Sequence, residues 1–157
     1  LIDSQDRYGY RVALVVVNRE CMAADRAAKA HIPTLQTKDW ETIDDSLRAH
    51  EIKLIVLAGF LAIIPNWICK KWEGQIINIH PSLLPAFPGV NPLERAMEYG
   101  VKVYGATIHY VDETLDGGKI ISQRAIEYEG NDIEELTELI HEAEHKLYIN
   151  TLQKLLK

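Results

Sequence analysis

Three short apolar runs, RVALVVVN at residues 11–18, KLIVLAGF at 53–60 and QIINI at 75–79, are rich in β-branched residues and have no polar face of their own. Runs of this kind are strands buried on both faces, and such strands occur in parallel sheets covered by helices. Between them lie segments of helical character. Residues 20–31 (ECMAADRAAKAH) are alanine-rich and favour a helix, and Ile32 with Pro33 closes it into a short strand or loop. Asp39 is placed to cap a second helix in WETIDDSLRAHE, and Pro65 suits the first turn of a third in NWICKKWE, which Gly74 ends. The alternation confines the chain to an α/β fold: a doubly wound, mainly parallel sheet with helices on both faces.

The second half continues differently. NPLERAMEYG reads as a helix with Pro92 near its start and Gly100 beyond its end, and YGATIHYVD alternates as a strand. ETLDGG then turns the chain into KIISQRAIEY, a peripheral strand and an antiparallel addition to the sheet. Asn131 with Glu134 is expected to cap the last helix, whose apolar positions Ile133, Leu136, Ile140, Leu147, Leu152 and Leu155 recur at helical spacing.

At 157 residues the chain is expected to form one domain with a real core. Its net charge of −6, with no basic run, argues against nucleic acid or an anionic membrane as a partner. Cys21 and Cys69 make neither a disulfide framework nor a metal-like spacing. They are expected to be small core residues of a cytoplasmic protein. No apolar run reaches membrane-spanning length.

The stretch QIINIHPSLLPAFPG carries the chemistry. The run at 75–79 leads to Asn78 and His80 before Pro81, Pro85 and Pro88 forbid further regular structure. Side chains alternate along a strand, so Asn78 and His80 project to the same side at the end where α/β sheets bind ligands. A carboxamide N–H and a protonated imidazole together stabilise negative charge developing on a carbonyl oxygen, and the imidazole can also move a proton. That combination suits acyl transfer. Asn-x-His alone also fits a histidine that merely satisfies loop carbonyls.

INIHPSLLPAFPG, followed by HYVDETLDGG, resembles the signature of the folate-dependent formyltransferases, and the likeness runs from about Arg11 to the C-terminus. Among them it is closest in pattern to those that act on glycinamide ribonucleotide. The resemblance implies transfer of the formyl group of 10-formyltetrahydrofolate to the amine of glycinamide ribonucleotide, through a tetrahedral intermediate and without a metal. It assigns Asn78, His80 and Asp116 to catalysis, with the Asp116 carboxylate favouring the imidazolium of His80. For the folate it implies one wall from Leu61, Ala62, Ile63 and Ile64 and another from Asp112, Glu113, Thr114, Leu115 and Asp116, with Asn78 beside them. Ala62 stands where an arginine is frequent in the family, so a contact to the folate tail is absent. Glu144 is implied to bind the ribose hydroxyls, and Pro81 to line the substrate site. Without the resemblance, Asp116 would be an ordinary Asp-Gly turn residue and the apolar four ordinary packing. His109, on the strand before DETLDGG, is either part of the polar network or a structural histidine.

Members of the family also begin with a strand and a GxGSN-type loop that binds the substrate phosphate at a helix N-terminus. Residues 1–10 show neither. The chain is therefore expected to be a single formyltransferase-like domain over residues 1–157, incomplete at its N-terminus.

His141-Glu142-Ala143-Glu144-His145 spells HExxH, which on a helix puts both histidines on one face as in zinc peptidases. No His, Asp or Glu follows in KLYINTLQKLLK to complete the ligand set, and an acidic solvated face is the expected role. Two other functions remain compatible with the motifs: a formyltetrahydrofolate hydrolase, in which water is the acceptor, and an inactive folate-binding module.

Overall fold

The computed structural model describes residues 1–157 and divides into two compact units, Leu1–Leu54 with Leu156, and Ile55–Leu155 with Lys157. In the first unit a short helix α1 (Gln5–Tyr8) precedes strand β1 (Val15–Val17), helix α2 (Met22–Lys29), strand β2 (Thr34–Gln36) and helix α3 (Trp40–Ala49). Strands β1 and β2 pair in parallel, with Val15 opposite Thr34. The valine run forms a shorter strand than expected, because only Val15–Val17 have partners in the ladder; the first pairing bond runs from Val15 N–H to Pro33 O. Asp39 caps α3 as its position suggests, its carboxylate accepting from the Thr42 N–H at 2.9 Å. A bond from the Thr42 hydroxyl first, and that backbone bond second, hold the Asp39 carboxyl below its ordinary range. Cys21 precedes α2 and is exposed, contrary to its expected place in a core, because a position just outside a helix start faces water.

The second unit holds strand β3 (Ile55–Leu57), helix α4 (Asn66–Lys71), strand β4 (Ile76–His80), helix α5 (Pro92–Tyr99), strands β5 (Val103–Tyr110) and β6 (Ile120–Glu127), and helix α6 (Ile133–Leu155). Its four strands run in the order β3-β4-β5-β6. β3 and β4 are parallel, as the β-α-β rhythm requires; β5 and β6 are the antiparallel addition, two strands wide, with β6 at the edge. Pro65 precedes the first residue of α4, and Gly100 ends α5 at φ 88°, in the region where glycine has no Cβ penalty.

The cap of α6 is Asp132, not Asn131. Asp132 directly precedes Ile133, and its carboxylate accepts from the N–H of Glu134 at 2.9 Å and of Glu135 at 3.3 Å. Leu136, Ile140, Leu147 and Leu152 are buried along α6, joined by Ala143, Tyr148 and Thr151. Leu136 and Ile140 share a core with Leu93 and Ala96 of α5, Tyr104 of β5 and Tyr128. Tyr104, Ala106 and Ile108 alternate onto this face of the sheet, together with Ser122, whose hydroxyl meets that of Thr151 at 2.7 Å. The other face of β4 and β5 is left for Asn78, His80, Thr107 and His109.

Candidate active site

Register assembles the polar face. In the β4–β5 ladder Asn78 pairs with His109 and His80 with Thr107, so four polar side chains lie in a block on one face. His80, Thr107 and His109 are all buried. Each therefore needs partners.

Thr107 ties down the proline-rich loop. Its hydroxyl donates to Ser82 O at 2.7 Å and accepts from the N–H of Leu84 at 3.1 Å and from Gln123 Nε2 at 3.0 Å. Gln123 Nε2 also donates to Leu84 O at 2.9 Å, and the buried Ser82 hydroxyl donates to Ala86 O at 2.6 Å. The Leu84–Pro85 peptide is cis. Gly105 is glycine for a steric reason: a Cβ there would stand 2.5 Å from Leu83 Cδ2 and 2.3 Å from Arg124 O. The loop is thus fastened against β5.

From that loop the backbone reaches the histidine. His80 Nε2 lies 2.8 Å from Phe87 O, and since a carbonyl only accepts, Nε2 carries the proton. His80 Nδ1 then faces Asp116 Oδ2 at 3.5 Å, where a second proton would complete an ion pair. The same Asp116 oxygen accepts from the Gly89 N–H at 2.8 Å. The other, Oδ1, stands 3.7 Å from His109 Nε2. His109 Nδ1 donates to Tyr110 O at 2.9 Å, which leaves Nε2 of the neutral ring to accept from Asn78 Nδ2 at 3.5 Å. Asn78, His80, His109 and Asp116 form one cluster.

Asp116 arrives on a tight loop. Its backbone is left-handed at φ 48°, a conformation that aspartate tolerates better than most residues. Gly117 and Gly118 leave no room for side chains: a Cβ on the first would stand 2.4 Å from Thr114 Oγ1 and on the second 1.8 Å from Tyr110 O. Asp112 opens the loop by accepting from the Thr114 N–H at 2.8 Å and from the Thr114 hydroxyl. The hydroxyl bond foremost holds the Asp112 carboxyl below its ordinary range.

Of the residues implied to face the folate, Leu61 (97 % exposed), Ile63 (86 %) and Leu115 (72 %) present bare apolar side chains to solvent, while Ile64 is buried and Ala62, Glu113 and Thr114 are exposed. Cys69 of α4 lies close to both segments. Its thiol donates to Ile64 O at 3.9 Å, and it is pushed up in pKa by burial first and then by the charges of Asp112 and Glu113. Two loops with exposed apolar side chains thus lie near Cys69 of α4. That surface fits a flat, partly polar ring.

Glu144 and Pro81 lie outside the polar cluster. Pro81 starts the proline-rich loop and is half-buried. Glu144 comes from α6, on the opposite face of the sheet. One turn later the Tyr148 hydroxyl donates to Leu57 O, at the end of β3, at 2.5 Å. Burial, opposed in part by His141, holds the Glu144 carboxyl above its ordinary range. His141, Glu142 and His145 are exposed, Glu142 faces Lys146 at 3.9 Å, and no group of three His, Cys, Asp or Glu residues is arranged to hold a metal ion. No helix is long and apolar enough to cross a membrane.

The α/β sheet sets a carboxamide and an imidazole side by side at a strand end, with a carboxylate against the imidazole, which is the make-up of an acyl-transfer centre. A family model described as formyl transferase matches residues 2–152, and the chain belongs to that family. It is 40 % identical over 163 residues to the phosphoribosylglycinamide formyltransferase of Bacillus subtilis, covering 97 % of this chain and 84 % of that protein. The trifunctional purine biosynthetic protein adenosine-3 of Gallus gallus is also 40 % identical, but the chain spans only 15 % of its length. Among solved structures, a phosphoribosylglycinamide formyltransferase from Bacillus halodurans superposes with a TM-score of 0.93 at 38 % identity, over 99 % of this chain and 87 % of that one. A formyltetrahydrofolate deformylase from Pseudomonas syringae superposes with 0.87 at 30 % identity, over 95 % of this chain and 53 % of its own.

Sequence patterns pointed to Asn78 and His80. They offered no signal for the Phe87 carbonyl or the Gly89 N–H, because backbone groups have no signature of their own.

Proposed function

We propose that this chain transfers the formyl group of 10-formyltetrahydrofolate to the amine of glycinamide ribonucleotide, with Asn78, His80 and Asp116 as its catalytic residues. The observation that carries this reading is the cluster at the end of β4, in which His80 Nδ1 faces Asp116 at 3.5 Å beside the carboxamide of Asn78. The cosubstrate, when bound, supplies an activated formyl group. Leu61, Ala62, Ile63 and Ile64 on one side and Asp112, Glu113, Thr114, Leu115 and Asp116 on the other would hold its ring, and exposed Leu61, Ile63 and Leu115 support that assignment.

Asn78 Nδ2 makes one contact, long at 3.5 Å, so its N–H groups remain open to a developing oxyanion. A proton taken up at His80 Nδ1 would lie against the Asp116 carboxylate, 3.5 Å away, and from there can pass to the reacting oxygen or nitrogen. The 3.5 Å separation is loose, as such contacts often are before substrate closes the site. His109 steadies Asn78 from the neighbouring strand. In this reading Pro81 lines the acceptor site, and Glu144, on the other face of the sheet one turn before Tyr148 meets the end of β3, accepts from ribose hydroxyls that reach past that end. Both compact units belong to one formyltransferase domain in this reading, supported by a family match that runs unbroken across residues 2–152. The same reading places the reaction in the cytoplasm.

The likeness to a deformylase gives the second reading, in which water is the acceptor. Both are tested by following loss of 10-formyltetrahydrofolate spectroscopically with and without glycinamide ribonucleotide, with His80→Ala as control. Turnover that requires the nucleotide and disappears in the control supports transfer. Equal turnover without it refutes transfer and favours hydrolysis.

A further inference from the structure

Two backbone groups of the cluster come from one short segment: Phe87 O, which accepts from His80 Nε2 at 2.8 Å, and the Gly89 N–H, which donates to Asp116 Oδ2 at 2.8 Å. That segment is strained. Phe87 (φ 53°), Gly89 (φ 79°) and Asn91 (φ 49°) are all left-handed, which is unfavourable for the phenylalanine and holds only if surrounding contacts impose it.

Arg95, on the first turns of α5, supplies those contacts. Its Nη1 donates to Pro88 O at 2.6 Å and to Val90 O at 3.3 Å, the carbonyls on either side of Gly89. Its guanidinium also lies 5.8 Å from the centre of the Phe87 ring, and the Phe87 and Tyr99 rings pack edge to face with centres 6.0 Å apart. Phe87 in turn packs against the core of α5, β5 and α6. The earlier part of the loop is fixed separately by Ser82, Thr107 and Gln123. Ser82 Oγ also lies 3.4 Å from Phe87 O, so losing Arg95 would loosen the stretch around Gly89, through Pro88 O and Val90 O, and leave the earlier part of the loop in place.

We propose that Arg95 is a positioning residue of the transfer centre, which touches neither substrate nor reacting atoms but holds Phe87 O against His80 and the Gly89 N–H against Asp116. This rests on the function proposed above. A guanidinium can span two carbonyls and a ring face where an ammonium cannot, so lysine is an incomplete substitute.

The test compares Arg95→Ala, Arg95→Lys and, as a control one turn further along α5, Glu98→Ala. Steady-state kinetics, thermal melting and 15N-histidine NMR of the His80 ring nitrogens are measured on each. For Arg95→Ala the expectation is a kcat lower by about 10- to 100-fold with KM for both substrates within about threefold, as displacement of a positioned group requires. Its His80 signals should leave the Nε2–H pattern while the melting temperature stays close to that of the unmodified chain. Arg95→Lys should fall between, and Glu98→Ala should match the unmodified chain. Unchanged kcat in Arg95→Ala, or lost kcat with unmoved His80 signals and a collapsed melting temperature, overturns the proposal. If the unmodified chain forms no formylated nucleotide yet Arg95→Ala still shifts the His80 signals, the positioning role stands and the proposed function fails.

Discussion

The carboxylate of Asp116 stands 3.5 Å from Nδ1 of His80, and it reaches there from a left-handed backbone whose next two residues admit no side chain. The pair is thus built by a loop that has few alternative conformations. Asp116→Asn isolates the charge. Asparagine keeps an acceptor for the Gly89 N–H and tolerates the backbone, so the fold should be undisturbed. Its kcat should fall by about 10²- to 10⁴-fold with little change in melting temperature. A kcat within about fivefold of the unmodified chain would remove the carboxylate from the chemistry.

Gly118→Ala attacks the same loop through sterics alone. The new methyl would stand 1.8 Å from Tyr110 O, a backbone atom that cannot swing aside as a side chain could. A loss of about 3 kcal/mol is expected from urea unfolding. An unchanged midpoint would mean that the loop can relax without cost.

Ile140→Ala tests the core behind α5, β5 and α6. Ile140 is fully buried there, and its truncation leaves a cavity. The expected loss is about 2–5 kcal/mol, seen as a lower denaturation midpoint at unchanged slope. A loss below about 1 kcal/mol would show that the core collapses around the gap.

Glu144 gives a pH dependence of defined sign. Burial raises its carboxyl above the ordinary range in the folded chain, so between the unfolded and folded values the native state binds more protons. Its contribution to stability is present below the unfolded value, about 4.3, and is lost as pH rises through the folded value. Glu144→Gln should therefore melt higher than the unmodified chain at pH 7 and no higher at pH about 4, where both side chains are neutral. Equal melting at both pH values would contradict the burial effect. If Glu144 also binds ribose hydroxyls, the same variant should raise KM for the nucleotide.

Much of this was legible in advance because the signals were local. Asp39 and Gly100 each occupy the helix boundary that their chemistry suggests, while Pro65 stands one residue ahead of the first turn it was expected to join. The strand ending in Asn78 and His80 lies where its β-branched run places it. What escaped was set by distance or by single-residue offsets. Asp132 outcompeted its neighbour Asn131 for the cap because it directly precedes the first helical residue. Only Val15–Val17 of the first apolar run formed a ladder, because pairing depends on a partner strand and not on composition. Asp116 looked like any turn aspartate until the family motif singled it out. His109 remained ambiguous because the pairing of β4 with β5 spans the whole loop and helix between them, which no periodicity can fix.

The ladder that sets Asn78 against His109 also works as a keyed joint. Strand pairing is indifferent to most side chains, but a slip of one residue would turn His109 to the far side of the sheet and bring an isoleucine or a tyrosine opposite Asn78. Such a molecule could keep nearly all its hydrogen bonds, compactness and helicity while losing the partner that steadies its carboxamide. For this architecture, chemical competence per folded molecule is therefore a readout of strand alignment, finer than any spectroscopic measure of secondary structure.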